Sequence, residues 1–315
     1  MKIPTSKRDI LNMFLLHCKD HPIPDWPGTC EFRVKTWDDR SIFGWFHQQE
    51  SHTSGSLLML HGFMDNSGND QYWRQGRRLA DKHRLALAAC DFRGHGKSDE
   101  DIPTFGKAES WDLKAVLDEA EKQQLPRPYV LFGQSLGGMA AQVCAIDDAR
   151  VDAAILIAPP AWPWHAIDHV VGNTIRHTEL LPESLREPVK KMGLGLSTWI
   201  ADLYKDRTGN VLHEGSLFHY EANPEHEPLV LYVMGDKDEY DVNRTHQVWD
   251  HWYKGQDAVY NAGPRSAPDQ SKWMVEIEGH GHPGVERPDP YEWKGFDNLI
   301  DEFIETALER KVLGA

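Results

Sequence analysis

The sequence predicts an α/β protein: a mostly parallel central sheet with helices on both faces, interrupted by a mainly helical insertion. Three observations carry that expectation. Short apolar runs without polar alternation recur at residues 57–60, 85–90, 129–132, 151–157 and 229–234, the pattern of strands buried on both sides. Amphipathic segments of helical length separate most of them, as parallel connections require. One run, 129–132, passes directly into Gly133-Gln134-Ser135-Leu136-Gly137 and then into the small-residue helical pattern Met139, Ala140, Ala141, Val143.

Taken in order, residues 1–25 read as an N-terminal helical extension that ends in the proline-punctuated loop His21-Pro22-Ile23-Pro24-Asp25. Asp9 interrupts its apolar stretch, and His17, Lys19 and Asp20 follow without a small-residue cleavage site. An amphipathic helix therefore fits better than a secretory signal. Strands at 31–36 and 42–47 follow, with Asp38-Asp39 as their turn. No helix separates them, so an antiparallel edge is expected there. The strand at 57–60 stops at His61-Gly62-Phe63; a helix over 71–84 leads to the strand at 85–90, which ends at Asp91. A helix over about 111–124 precedes the strand at 129–132, and the strand at 151–157 ends in Ala158-Pro159-Pro160.

From Ala161 the rhythm changes. The stretch 161–228 is rich in Trp, His, Pro and charge and has no long apolar run, so it reads as a helical cap inserted into a core made of 1–160 and 229–315. The core resumes with the strand at 229–234, a helix around 242–253, a polar loop over 254–271 and a strand at 273–278. A last helix carries Phe296, Leu299, Ile300, Phe303, Ile304 and Leu308, one apolar stripe that should dock on the sheet.

Composition narrows the partners. At 315 residues the chain is long enough for one large α/β domain. Its formal charge of 34 − 49 = −15 argues against nucleic acid and against anionic membrane surfaces. No stretch approaches the roughly 18 apolar residues of a membrane span. Cys18, Cys30, Cys90 and Cys144 lack zinc or CxxC spacing, so no metal is implied and a reducing cytoplasm is the simplest compartment. Oligomeric state leaves no mark in the sequence.

The chemistry centres on Ser135. In a strand–turn–helix context, Gly-x-Ser-x-Gly forms an elbow that holds the serine in a strained backbone conformation. The glycines two residues away on either side avoid collisions in that turn. A serine hydroxyl needs a base to take its proton, and the base needs an acid to fix its tautomer. Two strand ends downstream of Ser135 offer them in the required order, acid then histidine. The strand at 229–234 runs into Gly235-Asp236-Lys237-Asp238 and on to Asp241; the strand at 273–278 delivers His280 and His282. Three aspartates and two histidines thus compete. By position, the amides of Phe63 and Leu136 would stabilise an oxyanion. His61 is a candidate pocket residue, although a buried structural histidine fits it better, and Trp162 and Trp164, just past a strand end, are candidate pocket residues too.

Several stretches together resemble one family. Leu58-Met59-Leu60-His61-Gly62-Phe63, Asp91-Phe92-Arg93-Gly94-His95-Gly96-Lys97-Ser98 and Gly133-Gln134-Ser135-Leu136-Gly137-Gly138 look like successive signatures of the α/β-hydrolase superfamily, in its serine-nucleophile esterase and lipase branch. Gly235-Asp236-Lys237-Asp238 resembles the acid turn of that family and Gly279-His280-Gly281-His282 its base loop. The resemblance implies the α/β-hydrolase fold and a Ser135–Asp238–His282 triad, and it makes Asp91–Ser98 a structural turn. It also implies hydrolysis of a small-molecule carboxylic ester or thioester, with an apolar acyl part and no cofactor. Carbon–carbon bond hydrolysis of β-diketone-like compounds, a cofactor-free haloperoxidase or perhydrolase activity, and a non-catalytic binding protein on the same fold are the alternatives.

Overall fold

The computed structural model describes residues 21–48, 53–160, 226, 228–238, 272–283 and 288–312. Their elements are β1 (Thr29–Lys35), β2 (Ser41–His47), β3 (Gly55–Leu60), α1 (Asp70–His83), β4 (Leu85–Cys90), α2 (Lys107–Lys122), β5 (Tyr129–Gln134), α3 (Leu136–Asp147), β6 (Val151–Ile157), β7 (Leu229–Gly235), β8 (Lys272–Ile277) and α4 (Phe296–Val312). The N-terminal helix expected before His21, the helix expected at 242–253 and the loop after it lie outside the described residues. So does the expected cap at 161–228, Trp162 and Trp164 included, apart from His226 and Pro228.

The sheet has eight strands in the order β1-β2-β4-β3-β5-β6-β7-β8. β1 and β2 form the expected antiparallel edge, and β2 also pairs antiparallel with β4. From β4 to β8 every pairing is parallel. Alternate residues of the buried strands face opposite ways. Leu58 and Leu60 pack with Leu113, Val116, Leu117 of α2 and Met139, Ala140 of α3. Leu57 and Met59 pack with Leu79, Ala80 of α1 and Leu299, Ile300, Phe303 of α4. Helices thus cover both faces, which is why the strand sequences carry no polar alternation.

Among the boundaries that differ from the sequence expectation, two have a clear local reason. α2 starts at Lys107 rather than near 111, because the Glu109 carboxylate reaches back to accept from Gly106 N at 2.8 Å, Thr104 N at 2.7 Å and Thr104 Oγ1 at 2.9 Å. A third-position glutamate that satisfies the orphan amides before a helix is a capping signal. β5 runs on through Gly133 and Gln134, which pair with Leu60 of β3 and with Leu156 and Ile157 of β6.

Chain order and sheet order together decide where a site can form. From β3 the chain steps outward to β4, then crosses back over β3 to place β5 on its other side. Parallel sheets open a crevice at the carboxyl ends of strands where the winding direction reverses. Here those are β3 and β5, and they end in His61-Gly62-Phe63 and in Ser135. Register keeps the other strand ends on the same rim: Ile157 is level with Val233, and Gly235 with Ile277.

A buried charge cluster ties α1 to α4 across the back of the sheet. Asp301 is 6% exposed and accepts from Arg78 at 3.0 Å, Lys82 at 2.7 Å and His83 Nε2 at 2.9 Å. Burial alone would raise its carboxyl, but bonds from Lys82, His83 and Arg78 outweigh it and hold the group below its ordinary 3.8. Asp301→Asn should lower unfolding free energy by about 1–3 kcal/mol at neutral pH, read from the denaturant midpoint. A depressed carboxylate stabilises the fold above its unfolded-state pKa and loses that contribution as pH falls through its folded value. The gap between wild type and variant should therefore close on acidification below about pH 4; a gap that widens there would contradict the assignment.

Candidate active site

Ser135 stands between β5 and α3 with φ 51° and ψ −115°, a left-handed conformation that side-chain-bearing residues avoid. Neighbouring backbone overdetermines it. Ser135 N donates to Ile157 O at 2.9 Å, and Ser135 O accepts from Met139 N at 3.0 Å to open the helix. A Cβ on Gly133 would lie 2.2 Å from Gly137 O, and one on Gly137 would lie 2.4 Å from Leu60 O. Both glycines are therefore obligatory, because here the elbow is pressed against itself and against the end of β3.

The acid and histidine loops are stitched to each other before they reach Ser135. Lys237 N donates to His280 O at 2.8 Å, and Gly279 N donates to Asp236 Oδ1 at 2.6 Å. A Cβ on Gly235 would lie 2.0 Å from His280 O. Asp236 is thus engaged in bracing the histidine loop. Asp238 reaches further in, and its Oδ2 lies 2.8 Å from His282 Nδ1. His282 Nε2 lies 3.0 Å from Ser135 Oγ. A carboxylate only accepts, so Nδ1 carries the imidazole proton and Nε2 faces the serine hydroxyl as an acceptor. Asp238 and His282 are 2% and 3% exposed, and the low local dielectric strengthens their contact. His280, half-exposed, turns its Nδ1 to Glu278 O of its own loop at 2.8 Å. Asp241 lies outside the described residues.

The turn after β3 passes beside Ser135: a Cβ on Gly62 would be 3.7 Å from Ser135 Cβ. His61 Nδ1 donates to Gly62 O at 2.8 Å, and its Nε2 accepts from Phe92 N at 3.0 Å. With 1% exposure and both ring nitrogens bonded to backbone, His61 is a strut between two strand ends, which corrects its expectation as a pocket residue. His95 Nδ1 donates to Arg93 O, and its Nε2 accepts from Met64 N at 3.3 Å. Burial, with His61 beside it, pushes the His95 imidazole down to about 3, so it stays neutral. Tyr72 Oη accepts from Gly62 N at 3.1 Å. Among the described residues, the Phe63 amide has no hydrogen-bond partner. Leu136 is the first residue of α3, where an amide has no intrahelical acceptor. The Leu136 amide therefore lies beside Ser135 at a helix N-terminus, where negative charge is favoured.

The rest of the Asp91–Ser98 turn is engaged in structure. Asp91 accepts from Ser67 N at 2.8 Å and Lys97 N at 2.7 Å. Arg93, buried, donates to Asp112 at 2.8 Å and to Asp38 at 2.8 Å. Sequence reasoning missed Tyr72, which it read only as part of an amphipathic helix, and missed Gln134 and Tyr291. Tyr291 Oη donates to Gln134 Oε1 at 2.9 Å, and Gln134 Nε2 donates to Pro283 O at 3.4 Å. The variable residue of the elbow thus holds the residue after His282. No periodicity announces such pairs, because their partners are more than 140 positions apart.

Comparison with known proteins agrees with this architecture. The family model described as serine aminopeptidase, S33, matches residues 51–207, the stretch that contains β3 and the Ser135 elbow. No curated protein matches significantly in sequence. Among solved structures, an esterase from Pyrococcus furiosus superposes with a TM-score of 0.62 at 17% identity, covering 91% of this chain and 98% of its own. The α/β-hydrolase GrgF from a Penicillium species gives a TM-score of 0.58 at 16% identity, covering 90% and 99%. A cold-adapted esterase from an Arctic intertidal metagenomic library gives 0.53 at 16% identity, covering 90% and 96%. With a matching family model and a sheet of the same design as these structures, the chain belongs to the α/β-hydrolase superfamily.

Proposed function

We propose that the protein is a serine hydrolase that cleaves a small carboxylic ester, or a thioester, through an acyl-enzyme on Ser135. The observation that carries this reading is the buried relay from Asp238 through His282 to Ser135 Oγ, at 2.8 and 3.0 Å. His282 Nε2 takes the hydroxyl proton as Ser135 Oγ bonds to the acyl carbon, and Asp238 stabilises the resulting imidazolium. The carbonyl oxygen becomes an oxyanion facing the Phe63 and Leu136 amides. Collapse of that intermediate breaks the bond to the alcohol or thiol, which leaves with the proton from His282. Water then attacks the acyl carbon with His282 again as base, and the carboxylic acid is released from a regenerated Ser135. Every proton moves between groups of this chain, water and substrate, so the chemistry calls for no metal or organic cofactor.

An apolar acyl part suits the surroundings of the donor. The Phe63 ring, only partly buried, packs 5.2 Å from Phe105 and 5.8 Å from His95, which forms an apolar wall next to the proposed oxyanion site.

Two experiments test the reading. A fluorophosphonate probe should label the wild-type protein in one-to-one ratio and should not label Ser135→Ala; equal labelling of both would end the nucleophile assignment. With a p-nitrophenyl ester, His282→Ala should lower kcat by roughly 10⁴-fold or more, and Asp238→Asn by about 10⁴-fold. His280→Ala should stay within about tenfold, since its ring is bonded within its own loop; the reverse ranking would move the base to His280.

A further inference from the structure

Three consecutive amides follow β3, and buried side chains engage the outer two. Tyr72 Oη accepts the Gly62 N–H at 3.1 Å, and His95 Nε2 accepts the Met64 N–H at 3.3 Å. The Phe63 N–H between them has no partner among the described residues. Because peptide units are planar, fixing the units before and after Phe63 narrows the directions its own amide can take. Met64 adds to the constraint with φ 61°, a conformation that does not relax freely for a residue with a side chain.

We propose that Tyr72 is a positioning residue, whose hydroxyl aims the Phe63 amide at the developing oxyanion. This rests on the acyl-transfer reading of Ser135. Tyr72 is 5% exposed and sits in the first turn of α1, behind the Asn69 cap that accepts from Gln71 N at 2.9 Å. Its hydroxyl accepts one hydrogen bond from Gly62 and lies close enough to the Asp65 carboxylate to feel its charge. Asp65 is itself held, accepting from Asn69 Nδ2 at 2.5 Å and from Asn66 N at 2.9 Å. The contact is also close to the chemistry: a Cβ on Gly62 would lie 3.3 Å from Tyr72 Oη and 3.7 Å from Ser135 Cβ. Burial, followed by the charge of Asp65, pushes the phenol well above its ordinary 10. Tyr72 thus keeps its proton and acts through geometry, not by proton transfer.

An oxyanion donor works on the transition state more than on the bound ester. Loss of its alignment should therefore appear in kcat rather than KM, which loss of mere folding stability would not produce. The test compares wild type, Tyr72→Phe and Asp65→Asn, with active sites titrated by a fluorophosphonate probe. Turnover of a p-nitrophenyl ester is expressed per labelled site. Inhibition by a trifluoromethyl ketone, whose tetrahedral adduct carries the same oxyanion, is measured alongside. For Tyr72→Phe, kcat per labelled site should fall about 10–100-fold, KM should change less than about twofold, and ketone affinity should fall in proportion to kcat/KM. Asp65→Asn, which keeps the phenol and removes the charge beside its hydroxyl, should show the same split at roughly 3–10-fold; it carries the test alone if Tyr72→Phe does not fold. A kcat per labelled site within about twofold of wild type in the variants that fold, or a change confined to KM with ketone affinity intact, would overturn the role of Tyr72 alone. A wild-type protein that the probe does not label would overturn the acyl-transfer reading and this inference with it.

Discussion

The contact on which the rest of the structure depends is the collision-free passage of three backbones at the head of β5. Gly133, Gly137 and the Leu60–His61 peptide meet where no Cβ fits: one at Gly133 would sit 2.2 Å from Gly137 O, one at Gly137 2.4 Å from Leu60 O and 2.7 Å from His61 O. This closeness lets the chain reverse from strand to helix within one residue and leaves Ser135 at φ 51°. Such a residue carries about 1–3 kcal/mol of strain. Its own amide and carbonyl are both hydrogen-bonded, to Ile157 and Met139, so the strained conformation loses no backbone bond.

The same passage joins two functions that could have been separate. Because α3 begins immediately after Ser135, the helix N-terminus lies beside that residue, and because β3 is the neighbour of β5, its exit loop lies on the other side. That loop is held by side chains from three places in the chain: Tyr72 from α1, His61 from its own start, and His95 from the turn after β4. Each is buried, and each is hydrogen-bonded to backbone of the loop. Buried polar groups that are fully satisfied make a rigid frame, and a frame of this kind suits a site whose donors must be aimed before substrate arrives.

On the far side of Ser135, the loops after β7 and β8 support each other through backbone and Asp236 contacts, and only then does His282 meet Ser135. Gln134 and Tyr291 close the ring by linking β5 to Pro283 and to the turn before α4. His282 is thereby approached from its acid, from its own loop and from the strand that carries its hydroxyl partner. Its orientation is a property of several elements together, not of the loop alone.

The sequence by itself determined the layout of strands and helices, since uninterrupted apolar runs need burial on both faces and a striped segment such as Phe296-Leu299-Ile300-Phe303 has only one way to dock. It also determined the elbow, because only glycine fits at 133 and 137, and it narrowed the acid and base to a few residues at two strand ends. Tertiary structure gives them different partners. Asp236 and Asp238 differ by two positions and look alike in a sequence, yet one accepts from Gly279 N and the other from His282, a distinction set by how the β7 and β8 loops cross. His61 shares its strand end with Phe63, but closing the sheet against β4 engages both its ring nitrogens. Tyr72, Gln134 and Tyr291 left no signal at all, because a hydrogen bond to a partner 10, 149 or 157 residues away depends on the path of the chain and not on local pattern.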